Sequence, residues 1–172
     1  MRHPWMVLAG LVVGLWSANG WAETAKAVIE PTNETSPVDG TATLNDTPEG
    51  LAVAITVSGL APGRYAMHIH QYGECGDAGN AAGGHYNPRN VEHGFLPDDG
   101  LGKAHPGDLG NIDIGRDGTG TLVIVLPGVS LGGPLNVGGR AVVLHERVDD
   151  FSQPTGNAGG RVGCGPIPLV KD

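Results

Sequence analysis

Basic residues are scarce in this chain. Ten lysines and arginines stand against eighteen aspartates and glutamates, a formal net charge of −8. That balance argues against nucleic acid or an anionic membrane surface as a partner. Cysteine is limited to Cys75 and Cys164, so one internal disulfide is the most the chain can form. Tryptophan stops early, at Trp5, Trp16 and Trp21. No segment holds a helical hydrophobic period, and there is no internal repeat or low-complexity tract. The apolar run over residues 5–16 falls short of the roughly 20 residues a membrane-spanning helix needs.

That run instead fits a secretory signal peptide over residues 1–22. Arg2 and His3 precede it, and small residues at Gly20 and Ala22 suit a signal peptidase. An uncleaved anchor is the competing reading. Cleavage after Ala22 leaves residues 23–172, one domain, periplasmic or secreted, with no membrane association and no tryptophan. No cysteine lies near the cut, which argues against lipid attachment. In an oxidising compartment Cys75 and Cys164 are expected as a disulfide rather than as two buried thiols. Its long loop would contribute about 4–5 kcal/mol in a chain-entropy account.

Period-two patterns dominate the rest. The clearest is residues 51–57, where Leu51, Val53, Ile55 and Val57 alternate with Ala52, Ala54 and Thr56. Further strands are predicted over residues 25–30, 41–44, 65–70, 109–114, 119–126, 140–146 and 161–170. Residues 45–50 read as a turn-rich connector, and Asp117-Gly118 as a hairpin turn. Eight short strands without a helix imply an all-β antiparallel sandwich or barrel. Residues 72–107 and 147–160 form two long loops, a length that points to function.

Five of the seven histidines fall between residues 65 and 108. His68 and His70 are spaced i, i+2 on a strand and share one face, while Tyr65, Met67 and Ile69 take the other. His85, His93 and His105 come from the long loop, with Asp108 at its end. His145 ends a second strand. Seven donors exceed one tetrahedral ion. A nitrogen-rich planar set suits Cu(II), and three nitrogens with one oxygen suit Zn(II), so two sites are predicted, either separate or sharing one histidine.

The residues that carry this pattern are Met67-His68-Ile69-His70, Gly83-Gly84-His85-Tyr86-Asn87-Pro88, His93-Gly94 and His105-Pro106-Gly107-Asp108-Leu109-Gly110-Asn111. Val143-Leu144-His145-Glu146, Asp149-Asp150, Thr155-Gly156-Asn157-Ala158-Gly159-Gly160-Arg161 and Cys164-Gly165 follow in order. From about Asp39 to the C-terminus the chain resembles the copper/zinc superoxide dismutases, most closely the bacterial exported branch. The resemblance implies an eight-stranded Greek-key barrel with one copper and one zinc per subunit. Copper would be held by His68, His70, His85 and His145, and zinc by His85, His93, His105 and Asp108, with His85 as the bridge. It also implies that Asp149 links a copper-side to a zinc-side histidine, that Cys75 pairs with Cys164, and that Arg161 binds the substrate anion. The implied reaction is disproportionation of superoxide to oxygen and hydrogen peroxide by copper redox cycling, with His85 passing a proton. A copper-binding or copper-delivery protein of the same fold is the alternative. Homodimer and monomer both stay open, because branches of the family use different interfaces.

The chain departs from the family at Ala66, where glycine is usual. Residues 150–154 also lack the lysine and paired acids of the eukaryotic members. Residues 76–84 have no lysine either, which leaves Lys103 and Arg89 as candidate guiding charges for the anion.

Overall fold

The computed structural model describes residues 23–170; residues 1–22, the predicted signal segment with His3 and the three tryptophans, lie outside it. Eight strands form a closed antiparallel barrel: β1 (Thr24–Pro31), β2 (Asp39–Thr47), β3 (Gly50–Ser58), β4 (Gly63–His70), β5 (Asp108–Ile114), β6 (Gly120–Leu126), β7 (Ala141–His145) and β8 (Arg161–Pro166). Around the barrel they run β1-β2-β3-β6-β5-β4-β7-β8. β8 returns to β1 through the pairs Glu30–Cys164 and Pro31–Gly163. The β3–β4 and β6–β7 connections cross the barrel ends, which makes it a Greek key.

Alternation explains the core. Leu51, Val53, Ile55 and Val57 of β3 point inward and are fully buried, joined by Leu44, Met67, Ile69, Ile112, Leu126 and Leu144. Burial of each large aliphatic side chain contributes about 1.5–3 kcal/mol. The weakest seam lies between β5 and β6, which pair only at Ile114–Gly120. A one-turn helix, α1 (Leu96–Asp99), packs on both strands there and buries Leu96.

Three local expectations are corrected. Residues 45–50 are mostly strand: β2 runs on to Thr47, which pairs with Gly50, and the turn shrinks to Pro48 and Glu49. The Thr47 hydroxyl closes that turn on the Gly50 carbonyl. β8 stops at Pro166 rather than Val170, since Pro166 and Pro168 lack the N–H that a ladder needs. Besides α1, the first loop holds one 3-10 turn, Asn80–Ala82.

β4 over its last five residues and β7 over its whole length are buried on both faces. Their inner side chains enter the barrel core. Their outer side chains, among them His68, His70 and His145, lie beneath the loops, so the site is built on the outside of the barrel wall. Register shifts at Met67/His68 and at Leu144/His145 locally re-aim the strands that carry these histidines.

Candidate metal centre

The first loop is fastened to the barrel close to the site. Gln71 donates to the Gly84 carbonyl and Tyr86 to the Ile69 carbonyl, so His85 lies in a short bridge opposite His70. Cys75 is joined to Cys164 of β8, with Cα atoms 5.7 Å apart across 89 positions. This agrees with the expected pairing. The disulfide holds residues 76–83 against β8.

The predicted histidines converge, and one nitrogen from each of His68, His70, His85 and His145 falls in a common cluster within 4.8 Å. All four side chains are buried. Hydrogen bonds fix which nitrogen is bare. His70 Nδ1 donates to the Gly83 carbonyl at 2.9 Å, and His145 Nδ1 to the Gly159 carbonyl at 3.4 Å. Their Nε2 atoms then carry lone pairs, and these face each other at 3.2 Å. His68 gives Nε2 to Asp149 Oδ2 at 2.8 Å, leaving Nδ1 buried without a partner. Lone pairs aimed at one point, with no donor among them, are a cradle for a cation.

A second cluster adjoins the first. Asp108 Oδ1 lies 3.2 Å from His85 Nδ1 and 3.0 Å from both His93 Nδ1 and His105 Nδ1. Its Oδ2 accepts the backbone N–H groups of Gly94 and His105. His93 Nε2 is taken by Asp149, at 2.9 Å to Oδ1, and its Nδ1 is buried without a hydrogen bond. Three nitrogens around one carboxylate oxygen fit a tetrahedral zinc set. Mutual distance alone also groups His68 with His85, His93 and Asp108. His68, however, has one free nitrogen, already turned to the first cluster, so His105 is the better fourth donor. Asp149 touches both clusters, and Gly156 at φ +71° leaves the room: a Cβ there would collide with Asp149.

Burial lowers His68 from 6.5 to about 3, His70 to about 2 and His145 to about 4, and it also lowers His85. Burial thus favours the neutral form of these rings, the form in which an imidazole nitrogen can bind a metal. Burial alone would raise Asp108 and Asp149, but histidine hydrogen bonds outweigh it and hold both below the usual carboxylate range. For His93 burial is outweighed by Asp108 and Asp149, which raise it to about 9. A bound dication would take the place of that shared proton.

Above the first cluster is a pocket of about 240 Å³ lined by His70, His85, His145, Thr155 and Arg161. Arg161 is the only charged residue among its described lining. Lys103 and Arg89 do not line it. The guanidinium is held by the Gly79 and Gly83 carbonyls, the latter at 2.6 Å. Gly83 O thus receives both Arg161 and His70.

Two clamps escaped the sequence reading. Asn111 accepts the Asp149 N–H at 2.7 Å and donates to its carbonyl at 3.0 Å. Gln153 does the same to His93, both bonds at 2.9 Å. Asn111 stood inside a recognised motif, but Gln153 carried no spacing signal.

Among known proteins, residues 38–167 match the family described as copper/zinc superoxide dismutase (SODC). The extracellular superoxide dismutase [Cu-Zn] of Caenorhabditis elegans is 45% identical over 125 residues, 68% of this chain and 55% of that protein. The chain therefore spans about half the length of that relative. The crystal structure of the clock protein EA4 is 33% identical, covers 99% of this chain and 100% of its own, and superposes with a TM-score of 0.76. On that family match, which takes in both clusters, the disulfide and Arg161, the chain belongs to the copper/zinc superoxide dismutase family.

Proposed function

We propose that this chain disproportionates superoxide, two superoxide anions and two protons giving oxygen and hydrogen peroxide. The observation that carries the reading is the pair of bare, mutually facing nitrogens of His70 and His145 beneath a pocket whose one charge, among the described residues, is Arg161. His68, His70, His85 and His145 would hold copper, and His85, His93, His105 and Asp108 would hold zinc. When bound, copper supplies one-electron redox chemistry, and zinc supplies fixed positive charge.

The chain's own residues do the rest. Gly83 and Gly159 set the tautomers of His70 and His145. Asp149 sets those of His68 and His93. His85 turns Nδ1 to Asp108, so its Nε2 can hold a proton and pass it into the pocket. Arg161 stays protonated and offers planar donors to an oxygen anion.

Export is part of the proposal: cleavage after Ala22, a periplasmic or extracellular home, and membership of the bacterial exported branch. The signal-like residues 1–22 and the extracellular relative support export, and among the described residues no helix is long and apolar enough to cross a membrane. The deciding experiment combines metal analysis of the exported protein with a superoxide-consumption assay and an intact mass. The expected result is one copper, one zinc, rapid turnover and a chain that begins at Glu23. Copper binding without turnover would make it a copper carrier instead, and a retained Trp21 would overturn the cleavage site.

A further inference from the structure

His85 and Thr155 line two pockets at once. The first is the Arg161 pocket. The second, about 370 Å³, opens on the His105 side and is lined by Asn87, Asn90, Glu92 and Gln153 as well. The two mouths carry opposite charge. Arg161 repels a cation and favours an anion, whereas Glu92 is an exposed carboxylate among amides that can offer oxygen to a dication.

The wall between the second pocket and the zinc-side cluster is held in a particular way. Among the described residues, every hydrogen bond from residues 147–160 to residues 72–107 ends on His93. Asp149 takes the ring, and Gln153 takes both backbone groups. His93 lies outside any strand, so the Gln153 amide satisfies a peptide that no ladder partner serves. Release of that amide would free the rim of the pocket from His93 while Asn111 still anchors Asp149.

We infer that the second pocket is the passage by which zinc enters and leaves its site, and that Gln153 is its latch. Substrate anion and metal cation thus use separate doors on the two sides of His85. The inference rests on the zinc assignment above and adds the route and the residue that controls its rate. Gln153 is a positioning residue: it acts through His93 and touches neither metal nor substrate.

The test is metal exchange on the fully loaded protein. Zinc release into excess chelator is read with a chromophoric zinc indicator, and copper by its own visible absorption. Gln153→Met keeps the side chain's length without its hydrogen bonds. It should release zinc about 10- to 30-fold faster, ~1.4–2.0 kcal/mol at about 1.4 per tenfold, with copper loss within about twofold of wild type. Gln153→Glu, which still accepts the His93 N–H, should recover part of the retention. Glu92→Gln should slow zinc uptake by zinc-free protein about threefold at low salt and less at high salt, leaving release unmoved. Unchanged zinc release in Gln153→Met, or equal acceleration of zinc and copper, overturns the passage. Wild-type protein that takes up no zinc overturns the site assignment and the passage with it.

Discussion

His93 and Asp149 meet through Nε2 and Oδ1 at 2.9 Å, and that bond decides which nitrogen of the imidazole is left bare. The same carboxylate takes His68 Nε2 at 2.8 Å. One side chain from the second loop therefore sets the tautomer of one histidine in each cluster. Asp149→Ala should weaken zinc binding by about 10- to 100-fold and copper binding by less, because His93 meets both carboxylate oxygens, at 2.9 and 3.0 Å, whereas His68 meets one. Competitive titration against a calibrated chelator measures both. Unchanged zinc affinity would remove Asp149 from the site's support.

The two clusters should fail separately. His70→Ala deletes one of the two facing nitrogens and should abolish turnover while zinc stays bound. Asp108→Ala removes the oxygen on which His85, His93 and His105 converge. It should lose zinc and loosen the first loop, leaving a copper site with an altered visible spectrum. Metal analysis of each purified variant checks this. Selective zinc loss in His70→Ala would reverse the assignment.

Much of this was legible in the sequence because the barrel strands obey period two. In β3 the bulky and small faces alternate without a break, and His68 and His70 share a face for the same reason. Residues 45–50 misled because Asn, Asp and Thr are turn formers that a strand edge also tolerates once Asn45 and Thr47 find hydrogen-bond partners. The histidines of the first loop were visible as residue types, but spacing alone could not say which of them bridges. His85 stands out only when its Nδ1 is seen against Asp108 and its ring edge in the Arg161 pocket. Gln153 was invisible, because a side-chain amide on an irregular backbone leaves no periodic trace.

The metal-free protein should be sensitive to acid well above the carboxylate range. His68, His70 and His145 are buried neutral, with values lowered to about 3, about 2 and about 4, whereas the unfolded chain binds those protons near 6.5. Between pH 6.5 and about 4 the unfolded state holds more protons, so stability falls as pH falls. Asp108 and Asp149, depressed in the folded state, contribute stability that is lost at still lower pH. His93 works the other way: raised to about 9, its contribution is full below 6.5 and fades as pH rises through about 9. Calorimetry of chelator-stripped protein should show Tm highest near neutrality and dropping steeply from pH 6 to 4. A flat Tm over that range would contradict the buried neutral rings.

Arg161 offers the sharpest test of the proposed activity. The chain carries a net charge of −8, so a distant anion is repelled on average unless the pocket is locally positive. Arg161 is the only charge in that pocket's described lining, and two backbone carbonyls fix its guanidinium above His70 and His145. The Cys75–Cys164 disulfide holds the segment that supplies those carbonyls. Arg161→Ile should keep both metals and the fold but lower kcat/KM by roughly one to two orders of magnitude, about 1.4–2.7 kcal/mol in transition-state terms. Arg161→Lys should lose less, since the charge survives while the planar fork that meets Gly79 and Gly83 does not. Wild-type activity should fall as salt rises, and the slope should flatten in Arg161→Ile, because the screened attraction has been removed. If Arg161→Ile, fully loaded with copper and zinc, consumed superoxide at the wild-type rate with the wild-type salt slope, the anion would have to be guided by something other than this residue. Lys103 and Arg89, both outside the pocket lining, would then be the next positions to neutralise.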